Sequence, residues 1–165
     1  LIKKSKKIII IYRNNENIEN FEKLKAFRKK CKIKNFKFYV ANNYKLAKSC
    51  KADGLYLSSY NKKIYPFFGF KLIGSAHNFR EIYEKIKQGC CTVILSRLFK
   101  TSYKNKKDYL GVIKFNLIKK NCFINLVPLG GISSDNLLKL NLVKSEGFCL
   151  LSEIKKKPVI TNRLF

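Results

Sequence analysis

The fold of this chain is decided by two similar segments near its C-terminus, LVPLGGIS at Leu126–Ser133 and GFCLLSEI at Gly147–Ile154. Each is an apolar run, typical of a buried strand, followed by small residues and a helix start. Such a turn leaves backbone N–H groups unpaired and directed at one point, which is how proteins hold a phosphate. One short helical stretch, Asp135–Leu140, separates the segments. Consecutive parallel strands would therefore bring both turns to the same edge of a sheet.

Strand-like and helix-like stretches alternate along the whole chain, which predicts a parallel sheet with helices outside it. No G-x-G-x-x-G follows the first strand, so a dinucleotide-binding sheet is not favoured. A closed barrel needs eight strands, and the chain begins with Leu and contains no Met. We therefore expect an α/β fold, a parallel (β/α)₈ TIM barrel that lacks its first strand in this fragment, forming one domain over residues 1–165. The seven predicted strands are Ile8–Tyr12, Lys37–Val40, Gly54–Leu57, Lys71–Gly74, Thr92–Leu95, Ile124–Leu129 and Gly147–Leu151.

Two of the predicted helices, Ile18–Cys31 and Asn78–Gln88, repeat apolar residues every three or four positions. Asn78 is placed to cap the second helix. The predicted apolar faces are Phe21, Leu24, Phe27 and Cys31 in the first helix and Ile82, Tyr83 and Ile86 in the second.

The net charge of +26 raises the alternative of a nucleic-acid-binding protein. However, Lys outnumbers Arg 31 to 5, and the lysines are spread over nearly every segment. Bidentate recognition of bases and phosphates belongs to Arg, so nucleic acid is only a remote alternative as a partner. No apolar run approaches the roughly 20 residues of a membrane-spanning helix. We expect a cytoplasmic protein with no membrane partner, and a homo-oligomer stays an alternative.

The six cysteines show no C-x-x-C spacing and mostly lie in apolar patterns. They are typical of buried thiols in a reducing compartment and not of a zinc site or a disulfide framework. Cys90 and Cys91 are adjacent and cannot both face the core, so one of them is expected to be exposed.

In a barrel, function lies where strands end, so the residues after each apolar run are the candidates. His77 is the one histidine of the chain, and its environment favours a helix-start role over proton transfer, although it stays a candidate substrate-binding residue. The residues at these positions are Arg13, Asn15, Asn42, Asn43, Ser58, Ser59, Asn61, Ser75, His77, Ser96–Lys104, Gly130–Ser133 and Leu151–Glu153.

The order of these motifs resembles the thiamine phosphate synthase/TenI family. The similarity covers Ile8 to about Ile154, and no single motif in it is specific, whereas their order is. The resemblance implies the (β/α)₈ barrel that the strand pattern also predicts. The motifs are Ile11–Arg13, Val40–Ala47, Ala52–Leu57, Ile73–Asn78, Phe99–Lys104 and the two glycine segments.

The resemblance implies an enzyme that joins a pyrimidine carried on diphosphate to a thiazole phosphate, releases pyrophosphate and uses Mg²⁺ to hold the diphosphate. Lys104, Ser75 and Arg13 match catalytic or substrate-contacting positions, the Lys104 ammonium neutralising the leaving group. The residues implied for the phosphate are Thr101, Gly130, Gly131, Leu151 and Ser152.

The chain departs from the family pattern at the two metal positions, where Asn42 and Asn61 replace Asp. A neutral amide provides one oxygen and no charge, so we expect weak or no Mg²⁺ binding there. Arg97 stands where the tautomerase branch of the family has its histidine, and it is a candidate substrate-binding residue. The alternatives are thus a synthase tolerant of these replacements, a thiazole tautomerase or non-catalytic thiazole-phosphate-binding relative, and a basic nucleic-acid-associated protein.

Overall fold

The computed structural model describes residues 8–14, 21–65, 69–101 and 108–151. Six strands form one sheet in which each strand pairs in parallel with the next along the chain. The sheet curls into part of a barrel, so the predicted α/β barrel-type fold is confirmed. The strands are β1 (Ile9–Tyr12), β2 (Lys37–Ala41), β3 (Gly54–Leu57), β4 (Lys71–Ala76), β5 (Thr92–Ser96) and β6 (Asn125–Leu129).

Except between β3 and β4, where the described residues form none, consecutive strands are connected by helices. None of those in the described part of the chain combines the length and apolar content needed to cross a bilayer. A 3₁₀ turn, Ser134–Asn136, follows β6 and leads into a single helical turn, as the predicted stretch Asp135–Leu140 suggested. The helices are α1 (Phe21–Ile33), α2 (Tyr44–Ser49), α3 (Phe79–Lys87), α4 (Gly111–Lys120) and α5 (Leu137–Leu140).

Strand residues alternate between two apolar clusters, because side chains along a strand point to opposite faces. In β3, for example, Leu55 and Leu57 belong to the main core with the helices, whereas Tyr56 faces the other side. The inner cluster is small and consists of Tyr39, Tyr56, Ile73 and Ile94, with Ile11, Ala41, Leu129 and Cys149 packed against it.

The seventh predicted strand, Gly147–Leu151, is wrong as a strand. Cys149 alone forms a parallel bridge with Leu129, and its backbone N–H donates to Pro128 O at 2.9 Å. The neighbouring Phe148 and Leu150 are exposed. Within the described residues, this segment therefore pairs with β6 only at its middle residue.

The predicted face of α1 is confirmed, with Leu24 and Cys31 buried, and Asn78 caps α3 through a hydrogen bond from Glu81 N. The predicted face of α3 is partly wrong. Ile82 is buried, but Tyr83 and Ile86 are exposed, and the buried residue beside Ile82 is Lys85. Burial lowers the pKa of the Lys85 ammonium.

The cysteine prediction is confirmed for the adjacent pair, since Cys90 is buried and Cys91 is exposed. All six thiols are free. Burial raises the pKa of Cys90 to about 12 and that of Cys149 to about 11, so neither is a reactive thiolate at neutral pH.

Lys85 fits against the sheet because Gly74 lies opposite. A Cβ atom on Gly74 would lie 2.7 Å from Lys85 Cγ and 2.9 Å from Lys85 Cβ. These atoms belong to the fixed base of the side chain, so α3 cannot accept a larger residue in β4 without moving.

We predict that Gly74→Ala lowers the free energy of unfolding by about 1–3 kcal/mol, the usual cost of overpacking a filled core. Urea denaturation measures this difference. Gly147→Ala is the matched control, because nothing lies within 4 Å of a Cβ at that position. Equal stability of the two variants would contradict the packing argument.

Candidate functional site

The candidate residues gather at one edge of the sheet, because all six strands are parallel and their carboxyl ends lie together. Ser75 differs from its predicted place, since β4 extends to Ala76 and contains it. Lys104, Ser152 and Asn15 lie outside the described residues. The residues that follow strands at this edge are Arg13, Asn42, Ser58, Asn61, His77, Arg97, Gly130 and Gly131.

Arg97, Thr101, Gly130 and Gly131 form a cluster at the ends of β5 and β6, here called the turn cluster. Arg97 Nη1 donates to Thr101 Oγ1 at 3.3 Å. The side chain of Arg97 packs on Gly130, where a Cβ would lie 3.0 Å from Arg97 Cγ. Four residues predicted from the sequence to bind phosphate or substrate therefore lie together.

Two backbone contacts fix the turn cluster. Phe99 N donates to Gly130 O at 3.0 Å, and a Cβ on Gly131 would overlap the carbonyl oxygens of Phe99 and Lys100. Gly130 and Gly131 have φ of +99° and +69°, conformations in which residues with a Cβ are strained. Only glycine therefore allows the two loops to approach this closely.

Fewer backbone N–H groups are unpaired at the Gly130–Ser133 turn than the sequence predicted. Asn136 accepts a hydrogen bond from Ser133 N at 3.0 Å and donates to Gly131 O at 2.7 Å, so the Ser133 amide is already used. The N–H groups of Gly131 and Ile132 donate to no other residue in the described ranges. They are the donors left for an anion.

The second glycine segment lies beside the first, since Cys149 bridges Leu129 at the end of β6. Leu151 is exposed two residues further on. The bridge brings the two segments to neighbouring positions, as the sequence predicted for this pair.

Asn42 and Asn61, the predicted metal positions, also meet. Asn61 Nδ2 donates to Asn42 Oδ1 at 3.0 Å, and Asn42 Oδ1 further accepts from Ser58 N at 2.9 Å. Asn42 Nδ2 donates to Ser58 Oγ at 2.6 Å and to Tyr60 OH at 3.0 Å. We call Asn42, Ser58, Tyr60 and Asn61 the amide cluster.

A cavity of about 540 Å³ opens beside the amide cluster. Lys62 at its rim forms an ion pair with Glu84 of α3. The cavity is lined by Asn42, Tyr60, Asn61, Lys62, Lys63 and Tyr65.

The amide cluster does not fit the Mg²⁺ that the resemblance implies. Mg²⁺ is bound through carboxylate oxygens, and these positions offer neutral amides. Both amide oxygens already accept hydrogen bonds, Asn61 Oδ1 from Lys63 N at 2.9 Å. Nowhere in the described ranges do three or more His, Cys, Asp or Glu residues group in a way that could hold a metal ion.

Arg13 and Ser75 lie near two tyrosines that the sequence did not nominate. Burial raises the pKa of the Tyr56 phenol, and a hydrogen bond with Ser75 partly opposes this shift. A hydrogen bond with Ser58 lowers the pKa of the exposed Tyr60 phenol, and the charge of Arg13 adds to the lowering. Arg13 therefore lies close to Tyr60 of the amide cluster, whereas Ser75 contacts Tyr56 of the inner cluster.

His77 takes part in a helix start. Its backbone N–H donates to Glu81 Oε2 at 2.8 Å, and its ring Nδ1 lies 3.1 Å from the same oxygen. Partial burial raises the pKa of the Glu81 carboxyl, but the His77 backbone N–H, the His77 ring and Asn78 together hold this pKa below its usual range. The geometry agrees with the helix-start interpretation of His77.

The similarity of this chain to known proteins identifies its family. Residues 2–154 match the family described as thiamine monophosphate synthase. The chain belongs to the thiamine monophosphate synthase family. This family member is 31% identical over 132 residues to a thiamine-phosphate synthase of Prochlorococcus marinus strain AS9601, covering 75% of this chain and 37% of that protein.

Solved structures agree in fold. A thiamine phosphate pyrophosphorylase from Pyrococcus furiosus superposes with a TM-score of 0.72 at 20% identity, covering 90% of this chain and 74% of that one. An aldolase described as acting on 4-hydroxy-2-oxoglutarate gives a TM-score of 0.58 at 14% identity, covering 96% and 92% of the two chains. These likenesses show the fold alone. The family member spans 37% to 44% of the length of three Prochlorococcus marinus relatives.

Sequence reasoning missed Tyr56, Tyr60, Lys85 and Gln88. The tyrosines gave no signal, because Tyr56 looks like any core residue of a strand. Lys85 did give one: it stands three positions after Ile82 on the apolar face of a helix whose other lysine, Lys87, is exposed. A charged residue in such a register indicates a buried polar contact.

We predict that Glu81→Gln destabilises the protein by about 1 kcal/mol at pH 7, because the carboxylate satisfies the start of α3. A carboxyl whose pKa is depressed by folding contributes stability above its unfolded pKa and loses it as pH falls through the folded pKa. The difference should therefore disappear as the pH falls below about 4.5, the ordinary value for this carboxyl. Thermal denaturation between about pH 3 and about pH 7, which spans the titration of a glutamate carboxyl, measures the difference.

Glu22→Gln, an exposed residue in the first turn of α1, is the control for the change in net charge. A pH-independent loss of stability in Glu81→Gln would exclude the linkage to this carboxyl.

Proposed function

We propose that this chain acts in the assembly of thiamine phosphate, holding a thiazole phosphate while a pyrimidine carried on diphosphate is joined to it. The observation that carries the proposal is the turn cluster, found in a chain of this family. Arg97, Thr101 and the Gly130–Gly131 turn meet at the carboxyl edge of the sheet. A guanidinium, a hydroxyl and free backbone N–H groups are together the donors that a phosphate ester needs.

The thiazole phosphate is assigned to the turn cluster. The N–H groups of Gly131 and Ile132 approach the phosphate oxygens without side chains in between, and Arg97 offers the charge. Leu151 and Ser152, on the neighbouring segment, are proposed as further backbone contacts. Thr101 holds the Arg97 guanidinium in place by its hydroxyl.

The diphosphate is assigned to the side of the amide cluster and Arg13. The thiazole forms a bond to the carbon of the pyrimidine substrate that carries the diphosphate, the bond from that carbon to the diphosphate oxygen breaks, and pyrophosphate leaves with the bonding electrons. Cations that face the leaving group stabilise the charge it gains. Arg13 and Lys104 are proposed for that role, and Ser75 for contact with the substrate. Relatives of this family are expected to use Mg²⁺ here, but the amide cluster lacks the carboxylates to hold it.

A tautomerase is not supported by the geometry. That reaction would need a proton-transfer group where Arg97 stands, and a guanidinium has no acceptor atom with which to take up a proton. His77 does not replace it, because it is engaged with Glu81.

Release of pyrophosphate from the activated pyrimidine plus thiazole phosphate, with and without Mg²⁺, tests the proposal. We expect release that depends on both substrates and that falls in Arg97→Met. The variant should also bind thiazole phosphate about 10- to 100-fold more weakly, the effect of losing a hydrogen bond to a charged group. Isothermal calorimetry measures the affinity.

Arg80→Met is the matched control, because Arg80 is exposed on α3 and pairs with Glu84 of the same helix. Saturable thiazole phosphate binding without pyrophosphate release would leave a binding protein in place of the synthase. Equal affinity of wild type and Arg97→Met would show that the turn cluster is not the phosphate site.

We predict that Asn42→Asp combined with Asn61→Asp creates measurable Mg²⁺ binding, because two carboxylates then face each other where two amides now meet. Calorimetry with Mg²⁺ alone measures it, independently of activity. The control is Asn121→Asp with Asn141→Asp, which adds the same charge at exposed helix ends. Failure of the double variant to bind Mg²⁺ would show that these are not degraded metal positions.

A further inference from the structure

The function proposed above assigns no substrate contact to Lys85, whose buried ammonium has unusual surroundings. The Lys85 side chain is 0% exposed on the face of α3 that packs on the sheet. Burying a charge is costly unless hydrogen bonds compensate it. Lys85 Nζ donates to Asn61 O at 2.7 Å and to Gln88 Oε1 at 2.8 Å, both neutral oxygens. These two hydrogen bonds compensate the burial of the side chain, and one of them reaches the loop after β3.

Gln88 completes the attachment. Its Nε2 donates to Asn61 O at 3.0 Å and to Lys63 O at 2.8 Å, and the residue is buried. Two side chains at the end of α3 therefore hold two backbone carbonyl groups of the loop 58–65. This loop lines the cavity and has no regular secondary structure of its own.

The same loop is joined to β2 from its other side. Asn61 sends its side chain to Asn42, whose oxygen also accepts from Ser58 N. A continuous chain of hydrogen bonds therefore runs from Lys85 through Asn61 to Asn42. Removal of its first member leaves Asn61 held by Gln88 alone on the helix side.

We propose that Lys85 is a positioning residue, which with Gln88 fixes the loop 58–65 and so presets the amide cluster. In a site with two carboxylates, a bound cation would tie the ends of β2 and β3 together. Here the side-chain amides of Asn42 and Asn61 connect the two ends. Lys85, which supports this connection, lies inside the protein and is separated from the cavity by the backbone of Asn61. Gly74 provides the space for this side chain and is part of the same arrangement.

Hydrogen exchange in Lys85→Met tests the proposal, because Met fills nearly the same volume without the ammonium. We expect exchange at the Ser58, Asn61 and Lys63 amides to become at least about tenfold faster, the effect of losing a hydrogen bond to a charged group. The melting temperature should stay equal or rise, since replacement of a buried charge by hydrocarbon is often neutral or stabilising. Lys87→Met, an exposed lysine of the same helix, is the matched control.

Unchanged exchange in the loop 58–65 of Lys85→Met would overturn the proposal, whatever the melting temperature. A fall in melting temperature with uniformly faster exchange over the whole chain would also overturn it, since Lys85 would then be a general packing residue. If Lys85→Met does not fold, the same exchange measurement is made on Gln88→Leu. This variant also removes hydrogen bonds to the carbonyl groups of the loop 58–65, so faster exchange there supports the proposal and unchanged exchange overturns it.

A second readout rests on the proposed function. Inorganic pyrophosphate should bind Lys85→Met about tenfold more weakly than wild type, because the amide cluster is no longer preset. The two proposals fail separately. If wild type does not bind pyrophosphate, the diphosphate assignment is wrong, whereas the role of Lys85 is still decided by exchange at Ser58, Asn61 and Lys63.

Discussion

Parallel pairing of six consecutive strands is the constraint on which the rest of this molecule depends. Because every strand runs in the same direction and pairs with the next one along the chain, all carboxyl ends lie at one edge. Residues as distant in sequence as Asn42 and Gly130 therefore belong to one surface. The alternation of side chains along each strand divides the remaining residues between the helix layer and the small inner cluster.

The two halves of this edge differ in their chemistry. At the ends of β5 and β6, backbone groups and Arg97 offer donors to an anion. At the ends of β2 and β3, amide side chains satisfy one another and leave few free acceptors. Sites built for a divalent cation need the opposite balance, with anionic oxygens in excess. An edge of this kind binds phosphate groups directly, without a metal ion. The negative charge of the phosphate is then neutralised by lysine and arginine, which this chain has in abundance.

Much of the fold and part of the site could be predicted from the sequence. Six of the seven predicted strands are present, because their apolar runs give a strong signal, strongest in β2 to β5, where consecutive residues are buried. The segment at Gly147–Leu151 has the same composition but lies at an edge, and composition does not report how many neighbours a strand has. The turn cluster could be predicted because Gly130 and Gly131 mark a backbone conformation that few other residues adopt. The register of Lys85 with Ile82 gave a signal, but the depth of its burial could not be predicted, because it depends on the absence of a side chain at Gly74, on a different element.

The close contact at Gly131 has a mechanical consequence. The loop after β5 and the turn after β6 touch backbone to backbone, with no flexible side chain between them to absorb a displacement. The two segments must therefore shift as a unit. A ligand that orders one segment therefore orders the other as well. The conformational entropy lost on binding is then that of one loop, so a small ester is enough to fix both segments.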